Sequence, residues 1–171
     1  IGKCAYDSAR EILGWTYGKL AAPGSKPAGK FIQFDQRAYI PARSAGAFSW
    51  STGLGTTGWA YVPNSCAQGE KRRVPIALHG CKQGQSYLPL TPPPGGGLYN
   101  GTTLVKNTGY DRWADKNHLV ILYPQAVPIP FRNPNGCWDW WGCSGTDYAT
   151  KNAVPIRTLR AMVDGLATGA K

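Results

Sequence analysis

Residues 74–84, VPIALHGCKQG, are the stretch of sequence that decides the fold. A short apolar run leads directly into His79-Gly80-Cys81, and it is made up of Val74, Ile76, Ala77 and Leu78. This pattern predicts a buried strand that ends in a glycine turn. A backbone that turns sharply at a strand end can point its N–H groups into solvent, and such donors stabilise the oxyanion that develops in acyl transfer. The turn at residues 79–81 is therefore our first candidate for a reaction site.

The segments around this stretch alternate between helical and extended patterns. Strands are predicted at residues 58–63, 74–78 and 119–123, the first two as neighbours in one sheet, with a further extended segment within residues 30–40. LVILY at residues 119–123 is continuously apolar, which is typical of a strand covered on both faces. Helices are predicted at residues 7–20, 108–116 and 154–166. This order predicts an α/β fold with a mostly parallel sheet.

Apolar positions predict which face of each helix is buried. In the first helix, which Asp7 caps, the predicted inward residues are Ala9, Ile12, Leu13, Thr16 and Leu20. In the middle helix they are Trp113 and Ala114, and in the last they are Leu159, Met162, Val163 and Leu166. Between these elements we expect loops at residues 42–58, at residues 85–102 with their Pro-Gly run, and at residues 126–144.

Composition and charge exclude several classes of protein. Hydrophobic residues make up 42% of the chain and charged residues 16%, which excludes a disordered tail. The net charge is +10, but Lys and Arg are scattered singly apart from Lys71-Arg72-Arg73. This favours a solvated basic surface over a nucleic-acid interface, which needs a patch of clustered basic residues. Binding of other anionic material is the weaker interpretation.

No apolar run is long enough to cross a bilayer, so we expect no membrane partner. Without a signal peptide, the start at Ile1 is interpreted as a mature or internal start, or as a fragment boundary.

The five cysteines indicate disulfides rather than a metal site. They are Cys4, Cys66, Cys81, Cys137 and Cys143, and no two have the CxxC spacing of a zinc site. Only two histidines are present, so we expect no metal and no cofactor. Disulfides favour an oxidising compartment, and the odd number leaves at least one cysteine free or paired outside this chain.

A catalytic nucleophile is not evident. The closest approach to a G-x-S-x-G elbow is Gly142-Cys143-Ser144-Gly145, which lacks both the spacing and a preceding strand. We interpret Cys143 as a structural or free cysteine rather than as a nucleophile. His79 is interpreted as a hydrogen-bonded structural residue of its loop rather than as a general base, and His118 as an exposed or capping residue.

A second unusual stretch, NGCWDWWGCSGT at residues 135–146, contains Trp138, Trp140 and Trp141. One interpretation is that these aromatic rings pack a core while Asp139 caps a turn. The other is that they form a wall for an apolar ligand, since binding sites are lined with aromatic side chains and a few polar groups. The residues alone leave both interpretations open, and alternation along the chain prevents all three rings from facing the same way.

Long motifs in this chain resemble one known family. ALHGCKQG, LVILYPQA, GCWDWWG, the DYATK that follows it and the closing IRTLRAMVDGLA are similar to segments of extracellular polyhydroxybutyrate (PHB) depolymerases of the α/β-hydrolase superfamily. The resemblance is strongest over residues 58–167. CAYDSAREILGW near the start resembles the circularly permuted, single-domain members.

The resemblance implies that residues 1–171 form a single partial domain, the C-terminal portion of a permuted α/β-hydrolase without its nucleophile elbow. A companion N-terminal segment would carry the catalytic Ser, Asp and His. This chain would supply the backbone N–H of Cys81 to the oxyanion hole and Trp138 to the substrate wall, with Cys81 and Cys137 joined by a disulfide. The implied whole is a secreted serine esterase without cofactor or metal that cleaves a polyester or oligoester, and this chain alone would be inactive.

Two alternatives stay open. A related secreted esterase of the acetylxylan or feruloyl type would share the HGC loop. A non-catalytic remnant of a hydrolase would still hold apolar polymer on Trp138 and its neighbours.

Overall fold

The computed structural model describes residues 5–24, 26–41, 52–67, 72–90 and 100–168. The strands in these ranges are β1 (Lys30–Asp35), β2 (Thr57–Val62) and β3 (Ile121–Tyr123). The helices are α1 (Ser8–Tyr17), α2 (Asn64–Ala67), α3 (Thr103–Asn107), α4 (Tyr110–Asn117) and α5 (Val154–Thr168), with a 3-10 turn at Gln36–Tyr39. The predicted loops at residues 42–58 and 85–102 fall partly outside the described residues.

The described strands form one mixed sheet. β1 pairs antiparallel with β2, from Lys30 opposite Val62 to Asp35 opposite Thr57, and β2 pairs antiparallel with β3. The segment 73–77 lies along the other side of β3 and pairs with it in parallel, through bridges of Arg73 to Leu119 and of Ile76 to Leu122. The prediction of a mostly parallel sheet is therefore met only at this edge. The prediction that the strands at residues 58–63 and 74–78 are neighbours is wrong, because the fully apolar β3 takes the central place between them.

One face of the sheet is covered by α1 and α4. Tyr61 of β2 packs there against Ala9 and Leu13 of α1 and Trp113 of α4 in a single buried cluster. The start of α1 is fixed as predicted, since the Asp7 carboxylate accepts a hydrogen bond from the backbone of Arg10. Thr16 of the predicted inward face is exposed, and so is Ile12. Both are exposed because α1 rests on the sheet through Ala9 and Leu13.

The opposite face is covered by α5. A small apolar cavity lies between Met162 and Leu166 of α5 and Ile32, Ala60 and Val62 of the sheet. The buried side of α5 differs from the predicted one. Its buried residues are Pro155, Thr158 and Met162. The predicted residues Leu159, Val163 and Leu166 are half-buried. Thr158 can be buried because its hydroxyl donates to the carbonyl of Val154.

The segment 74–78 is the outer edge of the described sheet, which corrects the prediction of a buried strand. Ala77 is buried, but Ile76 is 40% and Leu78 is 51% exposed. The carbonyl of Pro75 accepts the backbone N–H of Leu122, and the N–H of Ala77 donates to the carbonyl of Leu122. The backbone groups of the odd-numbered residues therefore face β3. The backbone groups of the even-numbered residues point the other way, and they bond to nothing in the described ranges. By contrast, residues 119–123 are buried on both faces, as predicted.

Candidate functional site

The HGC loop, defined as residues 79–84, is held by hydrogen bonds on both sides of Cys81. The backbone N–H of Gly80 donates to the side-chain oxygen of Gln83, and the Gln83 N–H donates back to the carbonyl of Gly80. Lys82, which adopts a left-handed backbone with φ of 65°, donates its N–H to the carbonyl of Asn135 at 2.7 Å. The backbone N–H of Cys81 has no acceptor among the described residues, and Cys81 is exposed. Cys81 thus offers an unused backbone N–H between neighbours whose own N–H groups are bonded.

His79 fixes the start of this loop. Its imidazole is buried, and Nε2 accepts a hydrogen bond from the backbone N–H of Ala126 at 3.0 Å. Nδ1 therefore carries the proton, which it donates to the carbonyl of Gly80 at 2.8 Å. Burial lowers the pKa of His79, although the hydrogen bond to the Gly80 carbonyl partly opposes this shift. Both ring nitrogens are occupied, so His79 is a neutral structural residue with no nitrogen left to act as a base.

Trp138 lies against the HGC loop. Its indole N–H donates to the carbonyl of His79 at 3.0 Å, and its ring lies 5.4 Å from the imidazole between centroids. A disulfide joins Cys81 to Cys137, the residue before Trp138. In a loop-entropy model, closing a loop of 56 residues contributes about 4 kcal/mol. The structure therefore brings together Cys81, Cys137 and Trp138, the site residues named from the sequence.

Asp139 organises the remainder of the tryptophan-rich stretch. Its carboxylate accepts the backbone N–H groups of Trp141, Gly142, Cys143 and Ser144, together with the hydroxyl of Ser144. Burial alone would raise the pKa of Asp139, but the hydrogen bonds from Ser144, Gly142 and Cys143 lower it to about 2. Asp139 is thus the turn cap that one interpretation expected, and its ionised carboxylate is fully engaged by donors.

The two later tryptophans do not pack a core. Trp140 and Trp141 are exposed and meet edge to face, with ring centroids 5.3 Å apart. Trp138, in contrast, is half-buried against His79. The rings face different ways, as the alternation along the chain requires.

Four buried or half-buried glutamines, Gln36, Gln83, Gln85 and Gln125, bond to backbone groups around the site, and the sequence reasoning did not identify them. Gln125 accepts the backbone N–H of Gln85 through its side chain, which anchors the end of the HGC loop. Gln36 is completely buried and accepts the N–H of Gln125 while donating to the carbonyls of Gly55 and Gln125. The sequence signal for these glutamines was their repetition in KQGQ at residues 82–85 and the Pro124-Gln125 pair directly after LVILY. A glutamine side-chain amide can bond to a backbone donor and to a backbone acceptor at the same time.

The remaining candidates have other roles. His118 takes a left-handed conformation at the end of α4 and donates its N–H to the carbonyl of Ala114, so it is a capping residue. Cys143 is buried outside the disulfide, and burial raises the pKa of its thiol, with the Asp139 carboxylate adding to the effect. Cys66 is buried as well, and Cys4 lies outside the described residues.

Neither a metal site nor a membrane span is found in the described ranges. No group of three or more His, Cys, Asp or Glu side chains there is arranged to hold a metal ion. No helix among them is both long and apolar enough to cross a bilayer.

Comparison with known proteins shows relatives along the whole chain. No family model matches. The chain is 35% identical to a poly(3-hydroxybutyrate) depolymerase of Delftia acidovorans, and the match covers 99% of the chain and 30% of that protein. It is 34% identical to a polyhydroxybutyrate depolymerase of Talaromyces funiculosus over 99% of the chain and 47% of that protein. The chain therefore spans half or less of the length of these curated relatives.

Solved structures agree with these relatives. The PHB depolymerase from Penicillium funiculosum matches the full chain with a TM-score of 0.79 and 32% identity, and the match covers 51% of that structure. A PHB depolymerase variant complexed with an R3HB trimer matches with the same TM-score and 33% identity, again over 51% of its length. The resemblance to PHB depolymerases inferred from the sequence is confirmed, and the α/β fold class is confirmed as well.

Proposed function

We propose that this chain is the C-terminal part of a secreted, circularly permuted carboxylic ester hydrolase that cleaves poly(3-hydroxybutyrate) or its oligomers. The observation that carries the proposal is the exposed, unused N–H of Cys81 beside Trp138. An oxyanion hole needs donors that are fixed before the substrate binds, because a donor that must reorganise during the reaction contributes less. The bonds of Gly80, Gln83 and Lys82 provide this fixed geometry.

In the proposed mechanism, a Ser of the companion segment attacks the ester carbonyl and a His accepts the Ser proton, while an Asp orients that His. The carbonyl oxygen becomes an oxyanion, which accepts a hydrogen bond from the Cys81 N–H. Collapse of this intermediate transfers the proton from the His to the leaving alkoxide and leaves an acyl-enzyme, which water then hydrolyses. Trp138 packs against the aliphatic part of the polyester chain and holds the carbonyl close to Cys81.

A companion segment is supported by the open edge of the sheet at residues 74–78. The exposed Ile76 and Leu78 and the backbone groups of Val74, Ile76 and Leu78 offer another strand both hydrogen bonds and apolar surface. This edge runs directly into the HGC loop. A strand that pairs there would end close to Cys81, where the nucleophile is required. The length of the relatives, twice that of this chain or more, is consistent with such a segment.

The first test is the intact mass of the non-reduced protein together with hydrolysis of p-nitrophenyl butyrate. We expect a second chain with a Ser elbow, and turnover that a serine-directed inhibitor abolishes. A single 18.5 kDa species with inhibitor-sensitive turnover would contradict the proposal, because the nucleophile would then lie in this chain. A single species without turnover would leave a truncated or a decayed hydrolase. Polymer binding without turnover even after a Ser-bearing segment is supplied would then favour the non-catalytic remnant.

Trp138→Ala in the complete enzyme tests the substrate wall. We expect kcat/KM for hydroxybutyrate oligomers to fall at least about tenfold, since the ring positions the chain, and that for p-nitrophenyl acetate to fall much less. Trp15→Ala is the matched control, because Trp15 is an exposed tryptophan on α1. Preference for acetylated xylan or feruloyl esters over oligomers would favour the related esterase instead.

A further inference from the structure

The side chain of Gln83 keeps unused hydrogen-bond donors after the HGC loop has folded. Its Oε1 accepts the backbone N–H of Gly80 at 2.9 Å, and the backbone N–H of Gln83 donates to the Gly80 carbonyl at 3.2 Å. Because a backbone N–H can only donate, the amide atom bonded to Gly80 is the oxygen, and Nε2 is left for another partner. Nε2 has no acceptor among the described residues, and it is not enclosed among buried atoms. Gln83 therefore offers N–H donors that the loop itself does not use.

The other three glutamines around the site use their amide nitrogens within the protein. Nε2 of Gln85 donates to the carbonyl and to the hydroxyl of Thr57. Nε2 of Gln36 donates to two backbone carbonyls, and Nε2 of Gln125 donates to one. These three amides connect parts of the scaffold. Gln83 differs from them, because only its oxygen is engaged and its side chain is half-buried at the surface.

The Gln83 amide is fixed close to the backbone N–H of Cys81. A Cβ on Gly80 would lie 3.0 Å from Oε1 and 3.5 Å from Cδ of Gln83, so the amide lies directly against the Gly80 backbone. Gly80 precedes Cys81, and the Cα atoms of neighbouring residues are about 3.8 Å apart. The hydrogen bond and this close packing orient Nε2 before a substrate binds, which lowers the entropy lost on binding.

We propose that Nε2 of Gln83 binds the carbonyl oxygen of the ester next to the one that is cleaved, and thereby selects polyester chains over simple esters. This inference rests on the proposed function, because the substrate class comes from it. An aliphatic polyester has a carbonyl acceptor in every repeat unit and no donor along its chain, so donors of the protein must recognise its polar groups. Only two carbon atoms separate neighbouring esters of a 3-hydroxybutyrate chain. One chain can therefore place one carbonyl oxygen at the Cys81 N–H and the next at Gln83.

The test compares, in the complete enzyme, esters with a neighbouring carbonyl and the same esters with CH2 in its place. On the acyl side, the pair is p-nitrophenyl 3-acetoxybutyrate and p-nitrophenyl 3-ethoxybutyrate, followed by nitrophenol release. On the alcohol side, the pair is methyl 3-acetoxybutyrate and 4-methoxybutan-2-yl acetate, followed by acetate release. We expect the neighbouring carbonyl to raise kcat/KM at least about threefold in one pair, as one added hydrogen bond would. The pair that responds also assigns the direction of the bound chain.

Gln83→Glu separates the donor from the support of the loop. The ionised Glu side chain still accepts the Gly80 N–H, but it has no N–H to donate. We expect the advantage of the carbonyl substrate to be lost, and comparison within a pair cancels any effect of the variant on the oxyanion hole itself. Gln83→Met, which is neutral and of similar length, should lose the advantage as well. Gln33→Glu is the control, because Gln33 is exposed on β1, and it should retain the advantage.

Three results would overturn the proposal. The first is an unaltered enzyme without a carbonyl advantage in either pair. The second is an advantage that both Gln83 variants retain. The third is a loss in Gln83→Met alone, which would assign Gln83 only to support of the loop. None of these results would affect the proposed function, which is tested by serine-dependent hydrolysis of the p-nitrophenyl esters. Absence of that hydrolysis would refute the proposed function and this inference with it.

Discussion

His79 and Cys81 are two residues apart, yet the backbone gives them opposite roles. His79 is buried, and each of its ring nitrogens is committed to a backbone partner. Cys81 is exposed, and its backbone N–H has no acceptor among the described residues. A histidine beside a proposed ester-hydrolysing site is readily interpreted as a base. Here its hydrogen bonds make it a support for the loop that carries the proposed oxyanion-hole amide.

The pH dependence of folding reports on His79. Its pKa in the folded state lies below the ordinary value of 6.5, because burial disfavours the imidazolium. The stabilising contribution of neutral His79 is therefore fully present above pH 6.5 and is lost as the pH falls through the folded pKa. In urea unfolding between pH 8 and pH 5, we expect His79→Gln to be less stable overall and to lack this part of the slope. His118→Gln is the control and should keep it.

Gly84 is required by its contacts rather than by its backbone angles. A Cβ at this position would lie 2.9 Å from the carbonyl oxygen of Ala126 and 3.0 Å from Cε1 of His79. We expect Gly84→Ala to lower the free energy of unfolding by about 1–3 kcal/mol, because neither the backbone nor the anchored imidazole can move freely.

Gly14→Ala provides the matched control for that measurement. Gly14 lies within α1, and a Cβ there would meet nothing within 4 Å. We expect this substitution to raise the free energy of unfolding by about 0.5–1 kcal/mol, since alanine favours a helix more than glycine does. Equal effects of the two substitutions in thermal or urea unfolding would contradict the assignment of Gly84.

Among the elements, the tryptophan-rich loop shows how a segment without regular secondary structure becomes ordered. Asp139 binds four consecutive backbone N–H groups, Asn133 binds Cys137, and the disulfide attaches the tryptophan-rich loop to the HGC loop. These bonds order the backbone in place of the hydrogen-bond ladder that a β-strand would form with its neighbour. The loop can therefore hold Trp138 against His79 while it leaves Trp140 exposed.

Asp139→Asn should loosen this loop. The neutral amide accepts weaker hydrogen bonds than the carboxylate, so we expect a loss of about 1–2 kcal/mol, which partial exposure to solvent keeps moderate. In the folded state the pKa of Asp139 is about 2, below the ordinary value of 3.8. The carboxylate therefore contributes its full stabilisation at pH values above 3.8, and this contribution is lost as the pH falls toward 2. Acid unfolding followed by tryptophan fluorescence measures both effects. Asp147→Asn, in the same loop, should leave the acid midpoint unchanged.

At the scale of the whole molecule, the described sheet has two edges, β1 on one side and the segment 74–78 on the other. Helices cover both faces, but the edge at residues 74–78 leaves Ile76 and Leu78 exposed next to unpaired backbone groups. Such an edge pairs readily with another strand, including that of a second copy. The molecule is therefore expected to behave differently alone and with the proposed companion segment.

Self-association of the chain tests this edge. We expect the isolated protein to form oligomers at raised concentration in light scattering, and Leu78→Lys to reduce them, because a charged side chain at an edge opposes pairing. Leu90→Lys is the control, since Leu90 is equally apolar and fully exposed but lies outside the segment 74–78 that pairs with β3. A monomeric unchanged chain at all concentrations would show that the edge is not available for pairing.

The sequence by itself determined the local features of this protein. Asp7 marks the start of α1, LVILY is buried throughout, and the apolar run at residues 74–78 leads into the HGC turn, each because the signal lies within a few neighbouring residues. The motifs also indicated the family to which the comparisons point. Only the tertiary structure decided the strand order, the exposure of residues 74–78 and the unused amide of Cys81. These features depend on contacts between residues far apart in the chain, such as Lys82 with Asn135 and Gln36 with Gln125. A local sequence pattern does not encode which distant acceptor a given backbone donor finds. In this loop the N–H of Lys82 finds the carbonyl of Asn135, whereas the N–H of Cys81 finds no acceptor among the described residues.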